Sequence, residues 1–184
     1  MSGLSDFPRS FYPSLDRQIA VVTGAAGGIG GAIADELWFQ GAHVIATDIK
    51  PIETERNERF ITILGDITDP RTHDRLLEAS KSLGGISILI NNAALVDFGA
   101  DICVDPPEID TQNVFAVNFH APRKLGHAAA KQILEVGSEG SIIFITSVHA
   151  SLVRMQEHYH AAKAATEALM REMAMQYGPL MAFV

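Results

Sequence analysis

The sequence predicts an α/β fold, a parallel sheet with helices on both faces, and three observations predict it. Short apolar runs alternate with longer segments of helical spacing. Polar residues scarcely interrupt those runs, which marks strands buried on both faces. Each run ends in small or polar residues: Gly24, Asp48, Asp66, Asn92 and Ser147. A sheet of this kind collects such residues along the carboxyl ends of its strands, where ligands bind.

The elements follow in order. Residues 19–22 (IAVV) form a first strand that stops at Thr23-Gly24, and Ile29, Ile33 and Leu37 repeat every four residues through a helix at 29–40. Residues 43–47 are a second strand ending at Asp48, and 60–64 a third ending at Gly65-Asp66. A helix spans 70–83, with Asp69 as its N-cap and Pro70 in its first position. Residues 86–90 are a fourth strand, ending in Asn91-Asn92-Ala93-Ala94, and 95–110, with Pro106-Pro107, read as loop. A long helical pattern covers 111–136, with a bend expected at Pro122. Residues 141–145 are a fifth strand ending at Thr146-Ser147, and 151–157 lead into a last helix that runs to about Tyr177. Residues 1–15, with two prolines, four serines and no period, read as an arm preceding a single domain at 16–184.

Composition narrows the function. The 184 residues, 47% hydrophobic and 20% charged, suit one soluble globular domain. Fourteen Lys and Arg against 22 Asp and Glu give a formal charge of -8, which argues against nucleic acid or an anionic membrane as partner. Cys103 is the single cysteine, so no internal disulfide forms, and a reducing compartment, the cytoplasm, is expected. No apolar run approaches the roughly 18 residues that span a bilayer. The N-terminus lacks a basic segment followed by an apolar one, so it does not read as a secretion signal.

TGAAGGIG, residues 23–30, joins the first strand to the first helix. Glycines there permit a tight turn and let backbone amides approach a ligand. The helix N-terminus adds free N–H groups and partial positive charge suited to a pyrophosphate. Ala26 replaces the second glycine of GxGxxG, and no Gly-Lys-Ser/Thr follows, so the loop is neither that fingerprint nor a P-loop. It fits GxxxGxG (Gly24, Gly28, Gly30) and GxxGxxG (Gly24, Gly27, Gly30) alike. Asp48, eighteen residues past Gly30, is placed to accept from an adenosine ribose and to repel a 2′-phosphate. That favours NAD over NADP, with Lys50 the one nearby cation to set against it.

YHAAK, residues 159–163, sets Tyr159 and Lys163 on one face of the last helix, about one turn apart. A free tyrosine, with a pKa near 10, is a poor base at neutral pH. A lysine ammonium nearby favours the phenolate. A tyrosine so tuned exchanges a proton with an alcohol–carbonyl pair. Ser147 could hydrogen-bond the substrate oxygen, and Asn118 could hold a water in a proton path. Each residue also has an ordinary structural reading; it is their joint order that is uncommon.

That order resembles the short-chain dehydrogenase/reductase family. The matching features are TGAAGGIG, Asp48, Asp66-Ile67, NNAA at 91–94, Asn118, GSIIFITS ending in Ser147, and YHAAK, spread over residues 17 to about 178. The resemblance implies a Rossmann-like doubly wound sheet of about five strands in the order 3-2-1-4-5. It implies hydride transfer between NAD(H) and a small alcohol or ketone. Tyr159 would be the general acid/base, and Lys163 would tune it and bind the nicotinamide ribose. Ser147 would orient the substrate oxygen and Asn118 would hold a relay water. Gly24, Gly28, Ile29 and Gly30 would line the pyrophosphate, Asp66 and Ile67 would flank the adenine, and Asn92 and Ala93 would meet the adenosine-side ribose or its neighbours. A homodimer or homotetramer through the helices at 111–136 and 157–177 is implied as well.

The chain departs from the family pattern in four places. Ala94 stands where glycine is usual. The interval from Ser147 to Tyr159 is one residue shorter than usual. Residues 155–158 (MQEH) are polar for a pocket wall, and His149, His158 and His160 lack a third-ligand pattern, so no metal is expected. The sequence ends at GPLMAFV, which leads to the expectation of a C-terminally truncated chain without further strands and with the fifth strand as an open edge. A non-catalytic fragment, or a dinucleotide-binding module acting through dimerisation, is therefore the alternative to an active oxidoreductase.

Overall fold

The structure, a computed structural model, describes residues 15–53, 57–96, 110–151, 156–178 and 182–183. Nearly all of the expected N-terminal arm and most of the 95–110 loop lie outside the described residues. The elements are β1 (Ile19–Thr23), α1 (Gly28–Phe39), β2 (His43–Asp48), β3 (Phe60–Leu64), α2 (Pro70–Leu83), β4 (Ile88–Asn91), α3 (Thr111–Phe115), a π-helical turn (Ala116–His120), α4 (Ala121–Val136), β5 (Ser141–Phe144), α5 (Glu157–Tyr177) and β6 (Ala182–Phe183).

The sheet order is β3-β2-β1-β4-β5-β6, with every pair parallel. The expected order 3-2-1-4-5 is therefore present. Alternation along the strands divides the core in two. Ile19 and Val21 of β1 join Ile45, Leu89, Leu76 of α2, and Leu125 and Ile133 of α4. Ala20 and Val22 face the other way, against Val44, Ala46 and Ala34 of α1. All five residues of β1 are buried, which is why this strand carries no polar residue before Thr23. Burying a Val, Leu or Ile side chain contributes about 1.5–3 kcal/mol, so two-faced burial outweighs any local propensity here.

One expectation is corrected at the sheet edge. β5 does not stand unpaired, because Ser141 and Ile142 lie beside Ala182 and Phe183 of β6. A helix crossing over a parallel sheet returns the chain to the start of the strands. The segment after α5 therefore arrives next to the first residues of β5 and satisfies part of their exposed backbone.

Among the strand ends that differ from the reading of the sequence, two have a local reason. β4 begins at Ile88, since the Ile86 N–H is already bound to Gln132 Oε1 at 2.9 Å. β5 ends at Phe144, since the Ile145 carbonyl accepts from Lys163 Nζ at 2.7 Å. Asp69 caps α2 as expected, its side chain accepting from the Arg71 N–H.

The bend foreseen at Pro122 takes the form of the π-helical turn just before it. An α-helical bond to the Asn118 carbonyl would come from residue 122, and proline has no N–H to give. The Thr166 hydroxyl of α5 supplies the donor at 2.8 Å. Thr166, Lys163 and Tyr159 are spaced by three and four residues, so they share one face of α5. The proline thus ties that face to the turn carrying Asn118.

Candidate active site

The glycine loop lies between the ends of β1 and β4, and Asn92 holds it there. The Asn92 amide donates to the carbonyls of Thr23 and Gly24, both at 3.0 Å. In return, Thr23 Oγ1 accepts from the N–H groups of Asn92 and Ala93, both at 3.0 Å. Gly24 has φ +67, and a Cβ there would sit 2.8 Å from the Ala93 Cα. A Cβ on Gly30 would overlap the Gly24 carbonyl oxygen and the Asn92 amide nitrogen. These two glycines are demanded by the fold itself. Gly27 and Gly28 differ, because a Cβ on either meets nothing within 4 Å, though Gly28 at φ +56 still favours glycine. Their open side, at the N-terminus of α1, is where a phosphate would be received.

Asp48 turns toward this loop from the end of β2. Its Oδ2 accepts from the Ala26 N–H at 2.9 Å and its Oδ1 from the Lys50 N–H at 3.0 Å. Each carboxylate oxygen keeps a lone pair for a further donor. A cleft of about 490 Å³ runs from here, lined among others by Gly24, Gly27, Asp48, Asp66, Ile67 and Ala93. Asp66 Oδ1 accepts from both the N–H and the hydroxyl of Thr68, each at 2.8 Å, while Ile67 is buried at the cleft wall. Ile29, a large apolar side chain at the start of α1, is 64% exposed.

The predicted catalytic residues gather beyond β5. Ser147 lies three residues past the strand, before a short 3-10 turn (Val148–Ala150), and Tyr159 is the third residue of α5. The Lys163 ammonium is 5.6 Å from the centre of the Tyr159 ring. Only 3% of Lys163 is exposed, and burial pushes its pKa down to about 8. A buried ammonium needs a partner, and among the described residues the Ile145 carbonyl supplies one at 2.7 Å. Asn118 is 1% exposed. Its amide donates to the carbonyls of Leu95 at 2.8 Å and Val114 at 3.0 Å, and its Oδ1 accepts from the Leu95 N–H at 3.1 Å. The side chain thus pins the strand-four loop to the π-helical turn, with one acceptor lone pair left over.

Asn92 and Asn118 were expected to meet a ligand or a water, and both side chains are engaged with backbone. Thr23 escaped the sequence reading except as a strand terminus, although it is the centre of the loop's bonding. Its position one residue before Gly24 was the available signal. Among the described residues, no group of three or more His, Cys, Asp or Glu side chains is placed to hold a metal ion. No helix among them is long and apolar enough to cross a membrane.

Known proteins share this chain's sequence pattern and fold. The family model described as short chain dehydrogenase matches residues 18–181. The L-rhamnose 1-dehydrogenase (NAD(P)(+)) of Sphingomonas sp. (strain SKA58) is 31% identical over 176 residues, covering 89% of this chain and 68% of that protein. A short chain dehydrogenase from Mycobacterium smegmatis superposes with a TM-score of 0.80 at 25% identity, over 98% of this chain and 81% of the other. A 4-hydroxyisoleucine dehydrogenase complexed with NADH superposes with a TM-score of 0.74 at 26% identity, over 89% and 71%. With its family model matched across nearly the whole length and its sheet order that of a doubly wound fold, the chain belongs to the short-chain dehydrogenase family of oxidoreductases.

Proposed function

We propose that the chain binds NAD(H) in the cleft and transfers a hydride between it and a small alcohol or ketone, with Tyr159 as general acid/base. The observation that carries this reading is the buried Lys163 ammonium beside the Tyr159 ring. That sets a cation on the same helix face as the phenol, where a tyrosine acting as acid or base needs one.

The nicotinamide, when bound, supplies the hydride acceptor or donor. The chain's own residues do the rest. Gly24, Gly28, Ile29 and Gly30 receive the pyrophosphate at the α1 N-terminus. Asp48 takes the adenosine ribose with its spare lone pairs. Asp66 and Ile67 border the adenine, and Ala93, one residue past the Asn92 anchor, borders the adjoining ribose. Ser147 holds the substrate oxygen, Tyr159 gives or takes its proton, and Lys163 steadies the charge left behind. Asn118 keeps the loop at Leu95 closed over the proton path and offers its one free lone pair to a water there.

The substrate is a CH–OH compound or the matching carbonyl compound. Sugars such as L-rhamnose and hydroxy amino acids are the first panel to screen, because the two named relatives act on molecules of those kinds. The bond from Lys163 to the Ile145 carbonyl gives that lysine a structural task, and this favours a second reading, a dinucleotide-binding module without turnover. Titrating NADH and NADPH against the 184-residue chain, with the panel added afterwards, separates the two. NADH binding followed by turnover supports the enzyme; binding without turnover on any panel member supports the module; no binding removes both.

Asp48→Ala is expected to weaken NADH about tenfold, the loss of a charge-assisted hydrogen bond. It should also reduce the preference over NADPH. An unchanged ratio of the two dissociation constants would mean that Asp48 serves only the Ala26 turn.

The helices also present a surface for a second copy. Ala129, Ala130 and Ala162 are buried against the core, whereas Ala161 is exposed and Ala128, Ala164 and Ala165 are half-buried on the outer side of α4 and α5. A homodimer or homotetramer through these small-residue faces is expected. Sedimentation showing only monomer at micromolar concentration would refute it.

A further inference from the structure

We infer that His73 is a positioning residue for the adenine end of the cleft. This rests on the dinucleotide reading above and adds a residue that lies outside the cleft lining.

The wall formed by Gly65, Asp66 and Ile67 is the turn between β3 and α2, and such a turn would be free to change its peptide orientations. In this chain the first two turns of α2 hold it. His73 Nε2 meets the Ile67 carbonyl at 2.7 Å. A carbonyl only accepts, so Nε2 carries the hydrogen and the tautomer is determined. His73 is 8% exposed, and burial lowers its pKa from the ordinary histidine value, so the ring is neutral at physiological pH. Thr72 packs so closely on Gly65 that a Cβ there would lie 2.6 Å from its hydroxyl oxygen. Arg75 reaches back to the Leu64 carbonyl at 2.9 Å.

These contacts point one way. The Ile67 carbonyl is drawn toward α2 and away from the cleft. The peptide joining Ile67 to Thr68 is thereby held, and with it the Thr68 N–H that engages Asp66. The cleft is left with the Ile67 side chain and a carboxylate of fixed direction. A phenylalanine at 73 would fill the space and leave the carbonyl without its donor, free to rotate toward the ligand.

The test uses half-ligands, which a general loss of stability would not distinguish. ADP-ribose probes the adenine half and nicotinamide mononucleotide the other. His73→Phe is expected to weaken ADP-ribose and NADH by the same factor, about fivefold for one positioning hydrogen bond. The mononucleotide should bind as in the wild type. His73→Gln, which places an amide donor near the position of Nε2, should recover most of the loss. In the unsubstituted chain, the His73 ring N–H resonance should shift on adding ADP-ribose but not the mononucleotide, a readout that survives a misfolded variant. Unchanged ADP-ribose affinity in folded His73→Phe, an equal loss for both half-ligands, no recovery with glutamine, or an unmoved resonance would each overturn the inference. A wild-type chain that binds neither ADP-ribose nor NADH would overturn the dinucleotide reading itself.

Discussion

Tyr159→Phe is expected to lower turnover by two to four orders of magnitude, roughly the contribution of a positioned general acid or base, while NADH still binds. The substitution removes one oxygen. The ring that sits 5.6 Å from Lys163 Nζ is kept, and so is the bond from Lys163 to the Ile145 carbonyl. The cofactor cleft is lined by other residues, so its affinity should barely change. The measurement is kcat and KM on whichever panel alcohol is turned over, beside an NADH titration of the same protein. A loss confined to KM would make Tyr159 a substrate contact. Turnover equal to the wild type would remove it from the chemistry. Lys163→Met is not an equivalent test, because it also removes the donor that closes the Ile145 carbonyl.

Gly30→Ala is expected to collapse cofactor binding and stability together. The new methyl would overlap two groups that cannot easily retreat, the Gly24 carbonyl oxygen and the Asn92 amide. Overpacking of a well-filled site typically costs about 1–3 kcal/mol and sometimes more, and here it also pries the loop from Asn92. Gly27→Ala is the internal comparison. A Cβ at Gly27 meets nothing within 4 Å, and its φ of 170° is extended backbone open to any residue. Melting temperature should fall in the first variant and hold in the second. If Gly30→Ala melts and binds NADH like the wild type, the packing argument for this loop fails.

The parts of the fold that could be read from the sequence were those decided locally or by two-sided burial. β1 was visible because all of its residues face a core, and α2 because Asp69 and Pro70 announce its start. The strand order came with the family resemblance rather than from spacing. What could not be read was set by partners far along the chain. Gln132 binds Ser80, Leu77 and the Ile86 N–H, and nothing near residue 132 says so. Thr166 answers a carbonyl that a proline in another helix left open. The site showed the same division. Asp48, Tyr159 and Lys163 stood at recognisable places in the pattern. For Asn92 and Asn118 the pattern identified the position but not the task, since an amide serves a backbone carbonyl as readily as a ligand. β6 was missed because its two residues pair only through where α5 delivers the chain.

The grip of Asn92 on the glycine loop has a consequence for how a ligand is received. The loop is shaped by bonds to β4 that form as the chain folds, so its disorder is removed at that stage and not at the moment of encounter. An arriving dinucleotide would then meet a loop already shaped, and less of its interaction energy would be offset by ordering the protein. Exchange of one bound dinucleotide for the next would leave that end of the cleft standing. Binding there should proceed as rigid docking, with its speed governed by orientation and charge.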